Sequence, residues 1–515
     1  MVSPGCVFWV NDDDDYNESS VHPDDNSPAL ASGEADCHDN KINGIRDLED
    51  FIPFNITIPD ITEWTNNQNV KFFLRAEGEG KVRVFKRIKD MREYGAKTYL
   101  NDLDSSKSQY QEKIKFTLPF DSDNKGEGQL LDPSWFDSEG NFYAVFEGVE
   151  KGSLKLTLEV ELGTDQDKKR VVLDSAIITL VDVESMFKVY NTRYNSNSGD
   201  QEGPTIGNDN LLRYRFIREQ EGYGSRFPKD PKRIIIWTHG YNNTAQQSLS
   251  NMAIIFKRLY ITGYRGGFIG VVWGTGHSLV DFNPDWLSSY RTGHVFADII
   301  RNTKASYPDA KLDLFVHSLG NNVACYALRL LAEKNEQIVD NFILHEAAVP
   351  GEVFCGRYET IVYRWEYITI NGIPVPLYKY REGFFDNIYS ESLNAVKGKV
   401  YNTYCPEDKA VKDWFWIDNN LFKLPTPLED YSYNFIKDPI NTHPASGYKG
   451  LGCAEIKTIY NDKIKSKDQF KSKDNHPYGI RNHGSQSEEY YYDVLEFFTN
   501  VYDQGTMEDP DKQEE

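Results

Sequence analysis

A chain of 515 residues is too long for one ordinary core and implies two or three domains, which its 39% hydrophobic and 14% aromatic content can fill. Acidic residues outnumber basic ones 79 to 57, a net charge of -22, which argues against nucleic acid or an anionic membrane surface as partner and suits a secreted or cell-surface protein. No apolar run approaches the roughly 18 to 20 residues that a membrane span needs. No basic-then-apolar leader follows Met1, which leaves secretion open.

Residues 1–52 form an acidic N-terminal segment. FWVNDDDDYN places four aspartates in a row, and DCHDNKINGIRDLEDF follows with Gly44 at a tight turn. Adjacent carboxylates repel unless water or a cation lies among them. Oxygen-rich clusters of this kind suit structural Ca2+, with Asp13, Asp15, Asp36, Asp39, Asn43 and Asp47 as candidate ligands. A solvated acidic turn is the simpler alternative. The second stretch resembles a dockerin or EF-hand-like loop with its spacing off by a residue, and the two stretches together resemble pieces of very large bacterial surface proteins. Cys6 and Cys37 would tie this loop-rich region together, whereas Cys325 reads as a buried thiol.

Residues 53–190 read as β. GSLKLTLEVELG alternates Leu154, Leu156, Leu158, Val160 and Leu162 with Lys155, Thr157, Glu159 and Glu161. KIKFTLPF and SAIITLVDV repeat the period of two. Such strands parted by Gly, Asp and Asn clusters predict an antiparallel β-sandwich-like accessory domain. The Gly- and Asn-rich stretch 191–228 reads as a linker.

From 229 to 505 strands alternate with helices, predicting an α/β domain with a doubly wound, mostly parallel sheet. RIIIWTHGYNN is a short apolar strand ending in His239-Gly240. GGFIGVV, KLDLFVH, NFILHEAA and KVYNTYC supply further strands, and 506–515 is an acidic tail predicted to be disordered. In KLDLFVHSLGNNVACYALRLLAEK an apolar strand meets an amphipathic helix, with Ser318 at the junction. A serine on so sharp a turn projects its hydroxyl above the sheet edge, and the N–H of Leu319 can face an oxyanion. A helix-capping serine is the alternative.

Acyl transfer by serine needs a base, a group to orient the base, and oxyanion donors. In the expected chain order, Asp408 follows the strand VYNTYC, with Glu407 as a possible substitute. His483 precedes the last predicted helix and competes with His476. The turn at Gly240 offers the N–H of Tyr241 as a second donor, with His239 and His317 as structural neighbours that order the loop and the elbow.

HGYNN after a strand, VHSLGN at a strand–helix turn, PEDKAV after a later strand and HGSQ before a closing helix resemble the α/β-hydrolase superfamily. The first two are similar to bacterial HGYNN-type hydrolases. The resemblance covers about 229–505 and implies an eight-stranded, mostly parallel sheet and a Ser-Asp-His triad at Ser318, Asp408 and His483. Val316 departs from the family's elbow, where a glycine is usual. An aromatic insertion near 350–395 reads either as a cap over the site or as an auxiliary mini-core.

The expected function is carboxylic ester hydrolysis of lipase or esterase type, with polyesters among the candidate substrates. No cofactor is expected for catalysis. The expected partner is an ester with a hydrophobic acyl or aromatic group, without nucleic acid and without a membrane span. Rival readings are a peptidase, thioesterase or acyltransferase on the same triad, and a non-catalytic, calcium-stabilised surface or adhesion protein.

Overall fold

A computed structural model describes residues 6–10, 51–66, 70–87, 110–119, 128–164, 166–193, 217–241, 243, 245–261, 263–275, 283–349, 357–370, 373–386, 389, 391–404, 442–444 and 464–468. They fall into two compact units, each described on its own. Among the described residues, the first takes those up to Met186 together with Ser250–Arg265, and the second takes those of Phe187–Leu249 and of Gly266–Ser485.

Two sheets make up most of the first unit. Its elements are β1 (Cys6–Trp9), β2 (Phe51–Thr57), α1 (Ile61–Asn66), β3 (Val70–Gly78), β4 (Lys81–Arg87), β5 (Tyr110–Leu118), β6 (Gln129–Leu130), β7 (Asn141–Glu150), β8 (Gly152–Leu162) and β9 (Lys169–Val181). One sheet runs β1-β9-β8-β3-β6 and the other β2-β7-β4-β5. All pairs are antiparallel except β1 with β9, which is parallel. Phe8 of β1 meets Phe146 of β7 edge-on at 5.4 Å.

The alternation expected along β8 holds only in part. Leu154 and Val160 are buried, but Leu162 is exposed while Thr157, Glu159 and Glu161 are buried. Two features account for the departure. The β8–β9 register shifts between Leu158 and Glu159. Arg170 then bonds Glu161 through Nε at 2.9 Å, approaches Glu159 at 3.8 Å and stacks over the Phe73 ring at 4.0 Å. Ion pairing and guanidinium stacking thus cover a face that composition alone marks as polar and open.

The second unit is built on β10 (Lys188–Asn191), β11 (Arg218–Glu219), β12 (Arg233–Thr238), β13 (Gly267–Val272), β14 (Lys311–His317), β15 (Asn341–His345), β16 (Arg357–Ile370), β17 (Ile373–Asp386), β18 (Val400–Tyr404), β19 (Thr442–Pro444) and β20 (Ile464–Asp468). Its helices are α3 (Asn283–Ser306) and α4 (Gly320–Ala332). The helix α2 (Ala245–Ile261) crosses from this unit into the first. Eight strands form one sheet in the order β11-β10-β13-β12-β14-β15-β18-β20, parallel throughout except for the edge pair β10–β11.

This sheet begins earlier in the chain than the boundary expected at 229. β10 straddles the end of the stretch read as accessory domain, and β11 lies inside the stretch read as linker. β10 has four residues of which only Val189 is fully buried, so its place is decided by pairing with β13 rather than by local pattern. The inner strands are apolar because helices cover a parallel sheet on both faces. All six residues of β12 and of β13 are buried. Leu312, Leu314 and Val316 pack in one cluster with Phe296, Ile299 and Ile300 of α3 and with Val323, Ala327 and Leu331 of α4. Within the inserted region near 350–395, β16 and β17 form a hairpin paired residue for residue, with β19 beside it.

Cys325 is a buried free thiol, pushed up by that burial. Cys6, expected to pair with Cys37, is an exposed free thiol, and Cys37 lies outside the described residues. No helix among the described residues is long and apolar enough to cross a membrane.

Candidate active site

β14 delivers Ser318 to the carboxyl edge of the sheet, and α4 starts two residues later. Ser318 has φ +51°, in the left-handed region that costs a non-glycine residue about 1–2 kcal/mol. Backbone bonds hold it there. Its N–H donates to the carbonyl of His345 at 3.0 Å, and its own carbonyl accepts from Asn321 at 3.0 Å and from Ala348 at 3.1 Å. The Asn321 side-chain amide adds bonds to the carbonyls of Val316 and Ser318, both at 3.0 Å.

The residue at the helix cap is Leu319, in a helical conformation and without a side-chain cap bond. Ser318 contributes its carbonyl to the first turn, and its hydroxyl lies against Gly240. A Cβ at Gly240 would stand 2.5 Å from Ser318 Cβ and 2.9 Å from Oγ. Gly240 is therefore glycine because the HG turn and the serine touch. Gly320 is tight as well: a Cβ there would meet the His239 carbonyl at 2.5 Å and Val316 Cγ1 at 3.1 Å. With valine at 316, the glycine at 320 supplies the clearance that the elbow needs.

Tyr241 and Leu319, the expected oxyanion donors, follow Gly240 and Ser318 at the ends of the neighbouring strands β12 and β14. The loop carrying Tyr241 is tied down by polar contacts. Asn243 Nδ2 donates to the Tyr241 carbonyl at 2.9 Å, and Asn243 exchanges bonds with Thr275 at 3.1 and 2.8 Å. Arg193 Nε donates to the Trp273 carbonyl at 3.0 Å, and its NH2 group donates to the Asn243 carbonyl. Arg193 carried no signal in the sequence, because it sits in the stretch read as linker.

His239 is fully buried and stacks on Trp273, with ring centroids 5.5 Å apart. Trp273 donates its backbone N–H to Nε2 at 3.1 Å and its indole N–H to the His239 carbonyl at 2.8 Å. Burial, with the nearby Arg193 charge, pushes His239 down to about 3. A neutral imidazole holding this loop fits the structural part expected of it. His317 lies between Gly240 and Glu346, with its Nε2 3.5 Å from the Glu346 carboxylate.

Asp408, Glu407, His476 and His483 lie outside the described residues, as do Asp13, Asp15, Asp36, Asp39, Asn43 and Asp47. β18 ends at Tyr404 and β20 at Asp468, so the chain enters the Asp408 and His476–His483 segments from the carboxyl ends of strands in this sheet. Among the described residues, no group of three or more His, Cys, Asp or Glu could hold a metal ion. Glu346 is a strand-end carboxylate that the sequence reading passed over, although NFILHE placed it at the carboxyl end of a central strand.

Comparison with known proteins bears on the fold of this part of the chain. Residues 219–369 match the family described as "Alpha/beta hydrolase of unknown function (DUF900)". The chain is 24% identical over 156 residues to the uncharacterized protein alr1448 of Nostoc sp. (strain PCC 7120), a match covering 25% of this chain and 41% of that protein. Among solved structures, an acetylxylan esterase aligns at 11% identity over 23% of this chain and 65% of its own, with a TM-score of 0.19. The acylaminoacyl peptidase of Pyrococcus horikoshii aligns at 10% identity over 68% of this chain and 48% of its own, with a TM-score of 0.26. Scores this low say nothing about substrate. The family match and the eight-stranded sheet support an α/β-hydrolase fold for this part of the chain.

Proposed function

We propose that the protein is a serine hydrolase that cleaves carboxylic esters. The observation that carries this reading is Ser318 at φ +51° on the turn after a central parallel strand, with a glycine of the neighbouring strand end packed on its side chain. Non-glycine residues persist in such backbone conformations where the surroundings over-determine them, and they cluster at functional sites. In the proposed reaction Ser318 Oγ attacks the ester carbonyl carbon while His483 takes its proton. Asp408 holds His483 in the useful tautomer, and the N–H groups of Tyr241 and Leu319 hold the oxyanion. Collapse expels the alcohol with the proton from His483. Water then releases the acid by the same steps. The two-sheet front unit is an accessory module, and the acidic N-terminal segment holds structural Ca2+ in a secreted or cell-surface protein.

A fluorophosphonate probe tests the nucleophile. Wild type should label covalently and Ser318→Ala should not. Equal labelling of the two sinks the reading, and no labelling of either favours the non-catalytic rival. A panel of 4-nitrophenyl esters, thioesters and anilides of increasing acyl length then reports the bond preference and the pocket.

A further inference from the structure

Four non-glycine residues among those described have φ in the left-handed region: Asp60, Ser318, Asn335 and Glu346. Asp and Asn adopt it readily in turns, whereas Glu has no such ease. Glu346, at φ +44°, follows β15 directly, just as Ser318 follows the adjacent strand β14. The two turns are bonded to each other. The Ser318 N–H donates to the carbonyl of His345, and the Ala348 N–H donates to the carbonyl of Ser318. The conformation of Glu346 and that of the candidate nucleophile are therefore set together.

The side chains continue the connection. The Glu346 carboxylate lies 3.5 Å from His317 Nε2 and 3.9 Å from His345 Nε2, and all three residues are buried. The two imidazoles are 5.7 Å apart, centroid to centroid. On its other edge His317 presents Nδ1 to Gly240, 3.2 Å from where a Cβ would stand, and that same point is 2.9 Å from Ser318 Oγ. One ring thus stands between a buried carboxylate and the contact of the serine with the HG turn. Burying a carboxylate is costly unless polar groups face it, and both imidazoles face this one within ion-pair distance.

We propose that Glu346 is a positioning residue for Ser318. Its carboxylate fixes the ring of His317, and through that ring it fixes how Gly240 and the serine meet. This inference rests on the serine-hydrolase reading and adds a residue outside the expected triad. It makes the carboxylate, and not only the shape of the turn, matter for reactivity.

Three variants separate those possibilities. Glu346→Gln removes the charge and keeps the size, Glu346→Asp keeps the charge, and Glu346→Gly removes the side chain while relaxing the φ. Each would be assayed in the full chain for the second-order rate of fluorophosphonate labelling, for kcat and KM on 4-nitrophenyl acetate, and for Tm. Glu346→Gln should slow labelling and kcat by about ten- to a hundredfold, the scale of a small misplacement of a reacting group, with KM little changed. Glu346→Gly should be as slow as the Gln variant, and Glu346→Asp should recover part of the loss. Labelling of the Gln or Gly variant at the wild-type rate overturns the proposal and leaves the hydrolase reading standing. A wild type without Ser318-dependent labelling overturns both. If the Gln variant fails to fold, the Gly variant decides, since its backbone is under less strain.

Discussion

At His239 the tautomer is set by a neighbour. The backbone N–H of Trp273 donates to Nε2, so Nδ1 keeps the proton and donates to the carbonyl of Gly240 at 2.9 Å. Burial holds the ring at about 3 against its ordinary 6.5. The folded chain therefore binds this proton less readily than the unfolded one. The stability it contributes is full above about pH 6.5 and is lost as the pH falls toward 3, on the order of a few kcal/mol at the acid end. Tm measured from pH 7 to pH 4 should decline, and His239→Gln should start lower at pH 7 but decline less. A slope unchanged by that substitution would place the acid sensitivity elsewhere. Ser318 was legible in the sequence because strand, serine and helix are contiguous. The part played by Gly240 was legible only as a turn, because its reason for being glycine is Ser318, far along the chain. Glu346 was passed over for a similar reason: its significance lies in a backbone angle and two imidazoles, neither of which composition displays.

Along β14 the two ends do different work. Ser318 follows the carboxyl end. Near the amino end Asp313 is fully buried and ion-paired with Arg233 of β12, and it accepts from Asn341 Nδ2 at 2.9 Å. Burial pushes the Asp313 carboxyl up, and the Arg233 charge and bonds oppose that push. At the rise of an extended strand the two residues are about 16 Å apart. Asp313→Ala should cost about 3–5 kcal/mol, because it breaks a buried ion pair. The fraction still folded at low temperature should label at Ser318 as wild type does. Urea denaturation and labelling of the same samples would check both halves of the prediction. The inner strands of this sheet were readable as apolar runs, since helices on both faces demand them. β10 and β11 were not, being four and two residues long. β8 was half readable: its period is right, but the partners that bury Glu159 and Glu161 come from β3 and β9.

Over the whole molecule, the order of the chain and the order of packing diverge at α2. The helix follows the HG turn in sequence, yet residues from Ser250 onward belong with the first unit. There Tyr260 Oη donates to the Val7 carbonyl at 2.7 Å, and its ring meets Phe8 at 6.0 Å and Trp9 at 5.7 Å. A fragment starting at Phe187 keeps every strand of the eight-stranded sheet but strips these partners from α2. It should be markedly less stable and less soluble than the full chain, as judged by Tm and by yield of monomer on gel filtration. A fragment starting at 229 should fare worse, since it also loses β10 and Arg193. Equal stability of full chain and the 187 fragment would refute this reading. The sequence could not reveal it, because a boundary drawn along the chain assigns each residue to the segment where it is written. Evolution meets the same restriction. The front of this protein cannot be exchanged as a ready-made cassette, for any substitute would have to arrive with its own socket for a tyrosine encoded well downstream.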